Sequence, residues 1–274
     1  MAGEIDTGTT DLIASLDDGV LTLTLNRPEA RNAMSGAMTT ALGQQLAGAE
    51  LDGSVKCIVL TGAGKGFCAG GDVKGMAARG DGTVGDNTID AAIHRQRVNQ
   101  RATAGKLFTM PKPTIAALPG AAAGAGLSLA LACDLRIMAS TAILTTAFAR
   151  VGFSGDYGGT YFLTQLVGSA KAREMYFLSD RVSAQEALQL GLTNWVCEPD
   201  ELADKTRQIA LRLASGPTVA YRYMKENLNR AVTGDMNDCL DLEATHHVHC
   251  GQTEDHREAT KAFVAKREPV FQGR

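Results

Sequence analysis

Two glycine-rich segments constrain the fold of this chain more than any other feature of its sequence. One is Gly66-Phe67-Cys68-Ala69-Gly70-Gly71-Asp72, and the other is Gly120-Ala121-Ala122-Ala123-Gly124-Ala125-Gly126. Each follows a short apolar run typical of a buried strand, residues 57–60 in the first case and 113–118 in the second. Because both segments carry so few side chains, their backbone is expected to form the working surface.

Backbone N–H groups from two such loops can act together as hydrogen-bond donors. A pair of donors of this kind, an oxyanion hole, stabilises the negative charge that develops on an oxygen atom during a reaction. Such charge develops when a thioester carbonyl is attacked or when its neighbouring carbon loses a proton. The two segments therefore indicate chemistry on an acyl thioester.

The composition is that of an ordinary globular protein large enough for one substantial core. The chain has 274 residues, of which 45% are hydrophobic and 21% are charged. A net charge of −3 gives no reason to expect nucleic acid or an anionic membrane as a partner. The chain starts without a secretory-signal pattern, no apolar run approaches the ~20 residues of a membrane span, and the six cysteines lack CxxC spacing. We therefore expect a reduced, cytoplasmic protein.

The first two hundred residues alternate between strand and helix patterns. Residues 11–16 and 20–25 flank Asp17-Asp18-Gly19, which predicts a β-hairpin. Ser35 is placed to cap a helix that extends to about residue 49. The remaining predictions are strands at 57–60, 113–118, 134–138 and 142–146, helices at 91–109 and 126–133, and a mobile surface loop at 78–90.

Helices predominate in the last part of the chain. Ser183 and Glu186 form a capping-box pattern that opens a short helix, and Gly191 closes it. This order of elements predicts an α/β core over residues 1–200 and a helical region over residues 201–274. The later helical segments are predicted at 200–214, 218–231 and 240–266.

Four short segments occur in a characteristic order along the chain. They are Asn26-Arg27-Pro28 with Asn32-Ala33, Phe67 to Asp72, Lys112 to Ala117, and Ala132 to Arg136. Together they resemble the enoyl-CoA hydratase/isomerase (crotonase) superfamily, over about residues 11–267. The resemblance implies a spiral of ββα repeats with a C-terminal helical trimerisation region. It also implies a coenzyme A thioester as substrate, no separate cofactor or metal, and a homotrimer or a dimer of trimers.

The resemblance also assigns roles to residues of the two glycine-rich segments. The family's two oxyanion donors fall on the N–H groups of Gly71 and Ala125. The residues that match the lining of the thioester and pantetheine channel are Ala69, Asp72, Val73 and Lys74. The other interpretation is that these glycines only permit tight turns. The occurrence of both loops in this order favours the functional interpretation.

Two positions depart from the pattern of the family's hydratases. Hydratases place one glutamate in the helix after the second glycine loop and another 20 positions later; here these positions hold Ser128 and Phe148. Hydration needs a base that activates water and an acid that protonates the α-carbon. Phe148 can do neither, and the hydroxyl of Ser128 is a poor base unless another group activates it. Ordinary hydratase activity is therefore not expected.

One carboxylate, Asp156, has a position that resembles that of the acidic residue in several double-bond isomerases and a dehalogenase of the family. A single carboxylate is enough for isomerisation, since it can remove a proton from one carbon and return it two carbons further along. The apolar surroundings near Phe148 and Phe153 predict a raised pKa for Asp156. The alternative is that Asp156 is a turn residue or the N-cap residue before a helix predicted over residues 161–166.

Several other residues are weaker candidates. His94 is predicted to be a helix surface residue, and His246 with Cys250 and Glu243 has a spacing that permits metal binding but is more typical of a polar helix face at a subunit contact. The segment from Gly62 to Gly66 lacks the spacing of a phosphate-binding loop. The cations that can meet coenzyme A phosphates, or be surface charges, are Arg27, Arg31, Lys65, Lys74, Lys261 and Lys266.

Three functions follow from these residues. The leading one is an acyl-CoA isomerase that uses Asp156 with the N–H groups of Gly71 and Ala125. The second is a hydratase or other lyase that replaces the missing glutamates with Ser128, water and Asp156. The third is a non-catalytic acyl-CoA-binding protein that has kept the pocket.

Overall fold

A β-hairpin and one further strand form the antiparallel edge of the main sheet. A computed structural model describes residues 3–72 and 88–274, so most of the loop predicted at 78–90 lies outside the described residues. Strands β1 (Gly3–Ile5), β2 (Leu12–Asp17) and β3 (Val20–Leu25) pair in this order. Asp17 lies opposite Val20, so the connection has two residues, Asp18 and Gly19, with positive φ values of 50° and 77°. The hairpin prediction is confirmed.

The strands are divided between two sheets. The larger sheet has the order β1-β2-β3-β4-β6-β8-β11, and its pairs from β3 to β11 are all parallel. The smaller sheet has the order β10-β9-β7-β5. The further strands of the larger sheet are β4 (Cys57–Gly62), β6 (Thr114–Leu118), β8 (Leu135–Ala139) and β11 (Trp195–Cys197). Those of the smaller sheet are β5 (Gly66–Cys68), β7 (Ala121–Ala123), β9 (Ile143–Thr145) and β10 (Val182–Ser183).

Successive strand pairs form a repeating unit. The pairs β4/β5, β6/β7 and β8/β9 each give one strand to the larger sheet and the next strand to the smaller sheet, and a helix follows each pair. This arrangement is the predicted spiral of ββα repeats. Because β5 and β7 pair in parallel, the segments that follow them leave the small sheet at the same edge.

The helices of the first part begin and end close to their predicted bounds. Helix α1 (Gly36–Leu51) is capped by Ser35, whose Oγ accepts a hydrogen bond from the Met38 N–H at 3.0 Å. Helix α2 (Ile89–Gln100) continues through a π-helical segment, Arg101–Gly105, into α3 (Lys106–Thr109). Helix α4 (Ala125–Ala132) is buried on all sides. It follows the second glycine-rich segment directly.

The C-terminal part is helical, as predicted. The predicted segment 240–266 is two helices rather than one, because Thr253 caps a new helix with its Oγ1 accepting from the His256 N–H at 3.1 Å. No helix in the described ranges is long and apolar enough to cross a membrane. The helices are α5 (Gly159–Leu178), α6 (Ala184–Gln189), α7 (Leu202–Ala214), α8 (Thr218–Ala231), α9 (Met236–Cys250) and α10 (Glu254–Val264).

A buried lysine anchors helix α8 to the α/β core. Lys225 is only 8% exposed, and its Nζ donates to the Asp134 carboxylate at 2.8 Å and to the carbonyls of Leu107 at 2.9 Å and Lys112 at 3.2 Å. Asp134 in turn accepts from the N–H and hydroxyl of Thr114 at the start of β6. A buried charge with this full set of partners ties the C-terminal helices to the sheet.

Candidate active site

The two glycine-rich segments meet backbone to backbone. A Cβ atom on Gly70 would lie 2.9 Å from the Ala123 carbonyl oxygen and 3.4 Å from the Ala125 nitrogen, and Gly70 has a φ of +92°. A Cβ atom on Gly126 would lie 2.3 Å from the Cys68 carbonyl oxygen. Such contacts exclude any larger residue, so glycine is required here for the close approach of the two chains.

This contact places the N–H groups of Gly71 and Ala125 near each other. Ala125 is the first residue of α4, and the first N–H groups of a helix have no partner within it. Within the described ranges, neither of the two N–H groups donates to a protein acceptor. The Gly70 carbonyl oxygen accepts from the Met34 N–H at 2.8 Å, which fixes the first loop. Both donors are therefore available to an oxygen atom of a ligand, at the positive end of a helix.

Asp156 lies in the segment before α5 and has an unusual carboxylate. Its Oδ1 is buried without a hydrogen-bond partner, and burial raises the pKa of the carboxyl from 3.8 to about 6. Helix α5 has Gly158 at its N-cap and no side-chain cap. The interpretation of Asp156 as the N-cap is therefore wrong, whereas its interpretation as a turn residue is confirmed. Only its main-chain carbonyl takes part, accepting from the Gly159 N–H at 3.0 Å.

The ionisable groups around Asp156 are held in their neutral forms. Burial first, and then the negative charge of Asp156, raises the pKa of Tyr157 and Tyr176 to about 12. For Cys68, burial and the same charge also raise the thiol pKa to about 12. Asp156 is therefore the group of this cluster that changes its charge near neutral pH.

Ser128 and Phe148 both lie in this site, at the two positions where the hydratase pattern has glutamate. Ser128 is 1% exposed, and its hydroxyl donates a long, 3.3 Å hydrogen bond to the Gly124 carbonyl. The Phe148 ring lies beside Gly124 and stacks on Tyr176 with 5.8 Å between ring centroids. This part of the site therefore consists of aromatic rings together with the hydroxyl groups of Ser128 and Tyr176.

The backbone is strained next to Phe148 and next to Asp156. Ala147, next to Phe148, has a φ of 55°, and Tyr157, next to Asp156, has a φ of 50°. Each such non-glycine residue costs about 1–3 kcal/mol. The Tyr157 N–H donates to Oε1 of Gln100 in α2 at 2.6 Å, which holds this conformation. Sequence patterns gave no signal for Gln100, because its role depends on the packing of α2 against the segment before α5.

A cleft of about 390 Å³ opens beside the two loops. Ala69 and Ala123 line it, two residues before the candidate donors Gly71 and Ala125. Positive charge surrounds it, although its walls are mainly small residues. The cationic residues of the lining are Arg31, Lys65, Arg150 and Arg181. Arg31 and Lys65 were candidates from the sequence, whereas Arg150 and Arg181 are distant from the glycine-rich motifs along the chain and were missed.

The other cationic candidates are placed differently. Arg27 donates to the Asp72 carboxylate at 3.1 Å and to the Ala33 carbonyl at 2.8 Å, so it holds the loop together instead of lining the cleft. Asp72 is thereby an ion-pair partner of Arg27. Lys261 and Lys266 do not line this cleft either. Val73 and Lys74 lie outside the described residues.

The histidine-rich segment lies away from the cleft. His246 packs between α8 and α9, with its Nδ1 2.6 Å from the Asn227 Oδ1 and its ring stacked on Tyr223 at 4.2 Å between centroids. His94 is exposed on α2. Over residues 3–72 and 88–274, no three His, Cys, Asp or Glu side chains are grouped to hold a metal ion. His246 is therefore best explained as a helix-packing residue.

Comparisons with known proteins agree with this architecture. The family profile described as enoyl-CoA hydratase/isomerase matches residues 15–274. The chain is 36% identical to the 1,2-epoxyphenylacetyl-CoA isomerase of Escherichia coli (strain K12) over 263 aligned residues. The alignment covers 96% of this chain and 98% of that protein. It is 34% identical to the short-chain-enoyl-CoA hydratase of Clostridium acetobutylicum over 261 aligned residues. That alignment covers 94% of this chain and 95% of that protein. An enoyl-CoA hydratase from Polaromonas sp. JS666 superposes with a TM-score of 0.88 at 32% identity over 95% of this chain and 99% of that one.

The chain therefore belongs to the enoyl-CoA hydratase/isomerase (crotonase) family. The resemblance noted in the sequence and the predicted crotonase fold are both confirmed. Its relatives include isomerases and hydratases alike. Family membership alone therefore does not distinguish an isomerase from a hydratase.

Proposed function

We propose that this protein is an acyl-CoA isomerase that moves a carbon–carbon double bond through an enolate intermediate. One observation carries the proposal: Asp156 places in the site a carboxylate whose Oδ1 is buried without a partner and whose pKa is raised to about 6. A carboxylate with a pKa near the working pH is an effective base and an effective acid. The two hydratase positions hold Ser128 and Phe148, so no second carboxylate assists it there.

In the proposed reaction, the thioester carbonyl oxygen accepts hydrogen bonds from the N–H groups of Gly71 and Ala125. Asp156 removes a proton from C2 of a 3-enoyl thioester, and the electron pair of that C–H bond is delocalised over a dienolate. The protonated Asp156 then returns the proton to C4, and the double bond moves from C3–C4 to C2–C3. Each N–H donor of such a pair typically contributes about 2.7–4 kcal/mol to transition-state stabilisation.

The same proposal assigns the binding of the substrate. The phosphates of coenzyme A are bound by the cations of the cleft, Arg31, Lys65, Arg150 and Arg181, because clustered guanidinium and ammonium groups attract phosphate strongly. Ala69, Asp72, Val73 and Lys74 are assigned to the thioester and pantetheine channel. Ser128 and Phe148 contact the acyl group. No cofactor besides the coenzyme A of the substrate takes part.

A hydratase is the second candidate, and the similarity to a short-chain-enoyl-CoA hydratase supports it. It requires water held by Ser128 and activated by Asp156, which then has to serve both steps of the addition. A non-catalytic acyl-CoA-binding protein is the third candidate. This third candidate does not explain why the Asp156 Oδ1 is buried without a hydrogen-bond partner, an arrangement that costs free energy.

One pair of assays separates these candidates. The protein is incubated with a 3-enoyl-CoA and, separately, with a 2-enoyl-CoA, and the absorbance of the conjugated thioester is followed. An isomerase increases the absorbance with the first substrate, and Asp156→Asn abolishes this increase. A loss of absorbance with the second substrate supports the hydratase instead. Binding of acyl-CoA without turnover supports the non-catalytic protein.

We also propose that the C-terminal helices form a homotrimer, which can pair into a dimer of trimers. These helices present large apolar side chains to solvent, and such patches mark interaction surfaces. The exposed apolar residues of α8 to α10 include Met224, Leu228, Met236, Leu240, Val248 and Phe263. Light scattering tests this proposal, since one chain has a mass of 28.8 kDa. A monomer at micromolar concentration contradicts it.

A further inference from the structure

Tyr176 reaches into the site from helix α5 and ends beside Ser128. A methyl group added to Gly159 would lie 2.3 Å from the Ser128 Oγ and 2.7 Å from the Tyr176 Oη. A methyl group on Gly155 would lie 3.3 Å from the same Oη. The Ser128 and Tyr176 hydroxyls therefore both lie next to the Cα atom of Gly159, three residues after Asp156. Phe148 holds the tyrosine ring in place by parallel stacking, with 13° between the ring planes.

Both hydroxyls have hydrogen-bonding capacity that the protein does not use. In the part of the chain that the structure describes, the Tyr176 Oη has no hydrogen bond to another protein group. Ser128 has only its 3.3 Å bond to the Gly124 carbonyl. Ser128 is 1% exposed and Tyr176 is half-buried, so neither is a freely solvated surface group. Among the described side chains, the Tyr176 Oη is not a fully buried atom, so water or a ligand oxygen can reach it and accept its hydrogen bond.

We propose that Ser128 and Tyr176 bind an oxygen atom of the acyl chain, so that the preferred substrates are acyl-CoA thioesters with a hydroxyl, oxo or epoxide oxygen. This inference rests on the proposed function, since it assumes that the acyl group lies between the Gly71/Ala125 donors and Asp156. It adds a substrate class to that function, and it makes Tyr176 a substrate-contacting residue.

The chemistry of the pair favours a neutral oxygen over a water molecule prepared for attack. In a hydratase, two carboxylates accept hydrogen bonds from water and activate it. Here the pair consists of hydroxyls, and the phenol stays protonated because burial and Asp156 raise the pKa of Tyr176 to about 12. A neutral donor pair stabilises a carbonyl, hydroxyl or epoxide oxygen but takes no proton from it.

The test compares binding of butanoyl-CoA with that of 3-hydroxybutanoyl-CoA and 4-hydroxybutanoyl-CoA, which differ from it by one oxygen atom. Affinities are measured by calorimetry for the unmodified protein, Tyr176→Phe and Ser128→Ala. Tyr176→Phe keeps the ring and its stacking on Phe148 and removes only the hydroxyl. The matched control is Tyr161→Phe on the same helix, where the ring packs edge-on against Phe108.

We expect the unmodified protein to bind one hydroxylated acyl-CoA about 5- to 10-fold more tightly than butanoyl-CoA, the effect of one or two net hydrogen bonds. Tyr176→Phe and Ser128→Ala should each lose most of this preference, measured as the ratio of the two affinities in the same variant, and Tyr161→Phe should keep it. Equal binding of the three ligands, or an unchanged preference in Tyr176→Phe, overturns the inference and leaves the isomerase proposal standing. No binding of any of the three ligands overturns both proposals. Conversion of 3-hydroxybutanoyl-CoA to a conjugated enoyl-CoA also overturns both, in favour of a hydratase.

Discussion

Phe148 and Tyr176 stack in parallel at 5.8 Å between ring centroids, at the point where the hydratase pattern places its second glutamate. The Tyr176 ring also packs against Gly155, the residue before Asp156. Desolvation is the cause of the raised pKa of Asp156.

Activity should depend on pH through Asp156. The carboxylate must be ionised to accept the C2 proton, so kcat/KM should rise tenfold per pH unit below about 6 and level off above it. Asp156→Asn should lower kcat by a factor of about 10² to 10⁴ and remove the dependence. The measurement is the pH profile of 3-enoyl-CoA isomerisation. An acid limb that persists in Asp156→Asn would assign the titration to another group.

The same residue should make the protein less stable as pH rises. The folded-state pKa of Asp156 is raised from 3.8 to about 6, so the folded chain binds this proton more tightly than the unfolded chain, and stability falls between these two pH values. Asp156→Asn avoids this loss. It should be more stable than the unmodified protein by about 1–2 kcal/mol at pH 7.5, after allowance for partial exposure, and nearly equal at pH 3.5. Urea unfolding at the two pH values measures the difference, and equal curves at pH 7.5 contradict the prediction.

Removal of one backbone donor should slow the reaction without unfolding the protein. Ala125 is the first residue of α4, a position where proline fits a helix and removes only the N–H group. Ala125→Pro should lower kcat about 10²- to 10³-fold. The control is Ala184→Pro, at the first position of α6, away from the glycine loops. Similar losses of activity in both variants would show a general effect of the proline.

Gly159 should tolerate no side chain. A methyl group there would press on both the Ser128 Oγ and the Tyr176 Oη, whereas Gly48 in α1 has open space around it. Gly159→Ala should therefore lower activity at least tenfold by displacing the two hydroxyls. Gly48→Ala should leave activity unchanged and stabilise the helix by about 0.5–1 kcal/mol. Steady-state kinetics and thermal unfolding test the pair, and full activity in Gly159→Ala would place the hydroxyls outside the substrate's path.

The cleft arginines should affect binding of the nucleotide part of the substrate alone. Arg150→Gln with Arg181→Gln should raise KM for an acyl-CoA about 10-fold or more at low salt, less at high salt, and leave kcat unchanged. The KM for the corresponding acyl-pantetheine, which lacks the phosphates, should not change. Arg222→Gln is the control, because Arg222 forms an exposed ion pair with Glu226 on α8. An equal rise in KM for both substrates would refute phosphate recognition by these arginines.

The parts of the fold with local signals were predictable from the sequence. The Asp18-Gly19 turn needs positive φ at both residues, and the Ser35 cap needs only the helix that it begins. The boundary between α9 and α10 was not predicted. The sequence shows one amphipathic stretch there, but the structure has a break before Thr253.

The site was predictable only in part. The glycine loops and Asp156 lie in motifs, so they are recognisable along the chain. Arg150, Arg181, Gln100 and Tyr176 lie in no motif and reach the site by packing. Their roles depend on which helices meet in space, which sequence periodicity does not reveal.

The contact between Gly70 and the start of α4 has a consequence for how such proteins diversify. The spacing of the Gly71 and Ala125 N–H groups is set by main chain against main chain, so substitutions in the surrounding acyl pocket leave it unchanged. In the proposed mechanism, charge stabilisation and substrate choice therefore depend on different parts of the chain. In that mechanism, side chains around the acyl group, including those at the two glutamate positions of the hydratase pattern, can differ while the two N–H donors keep their places.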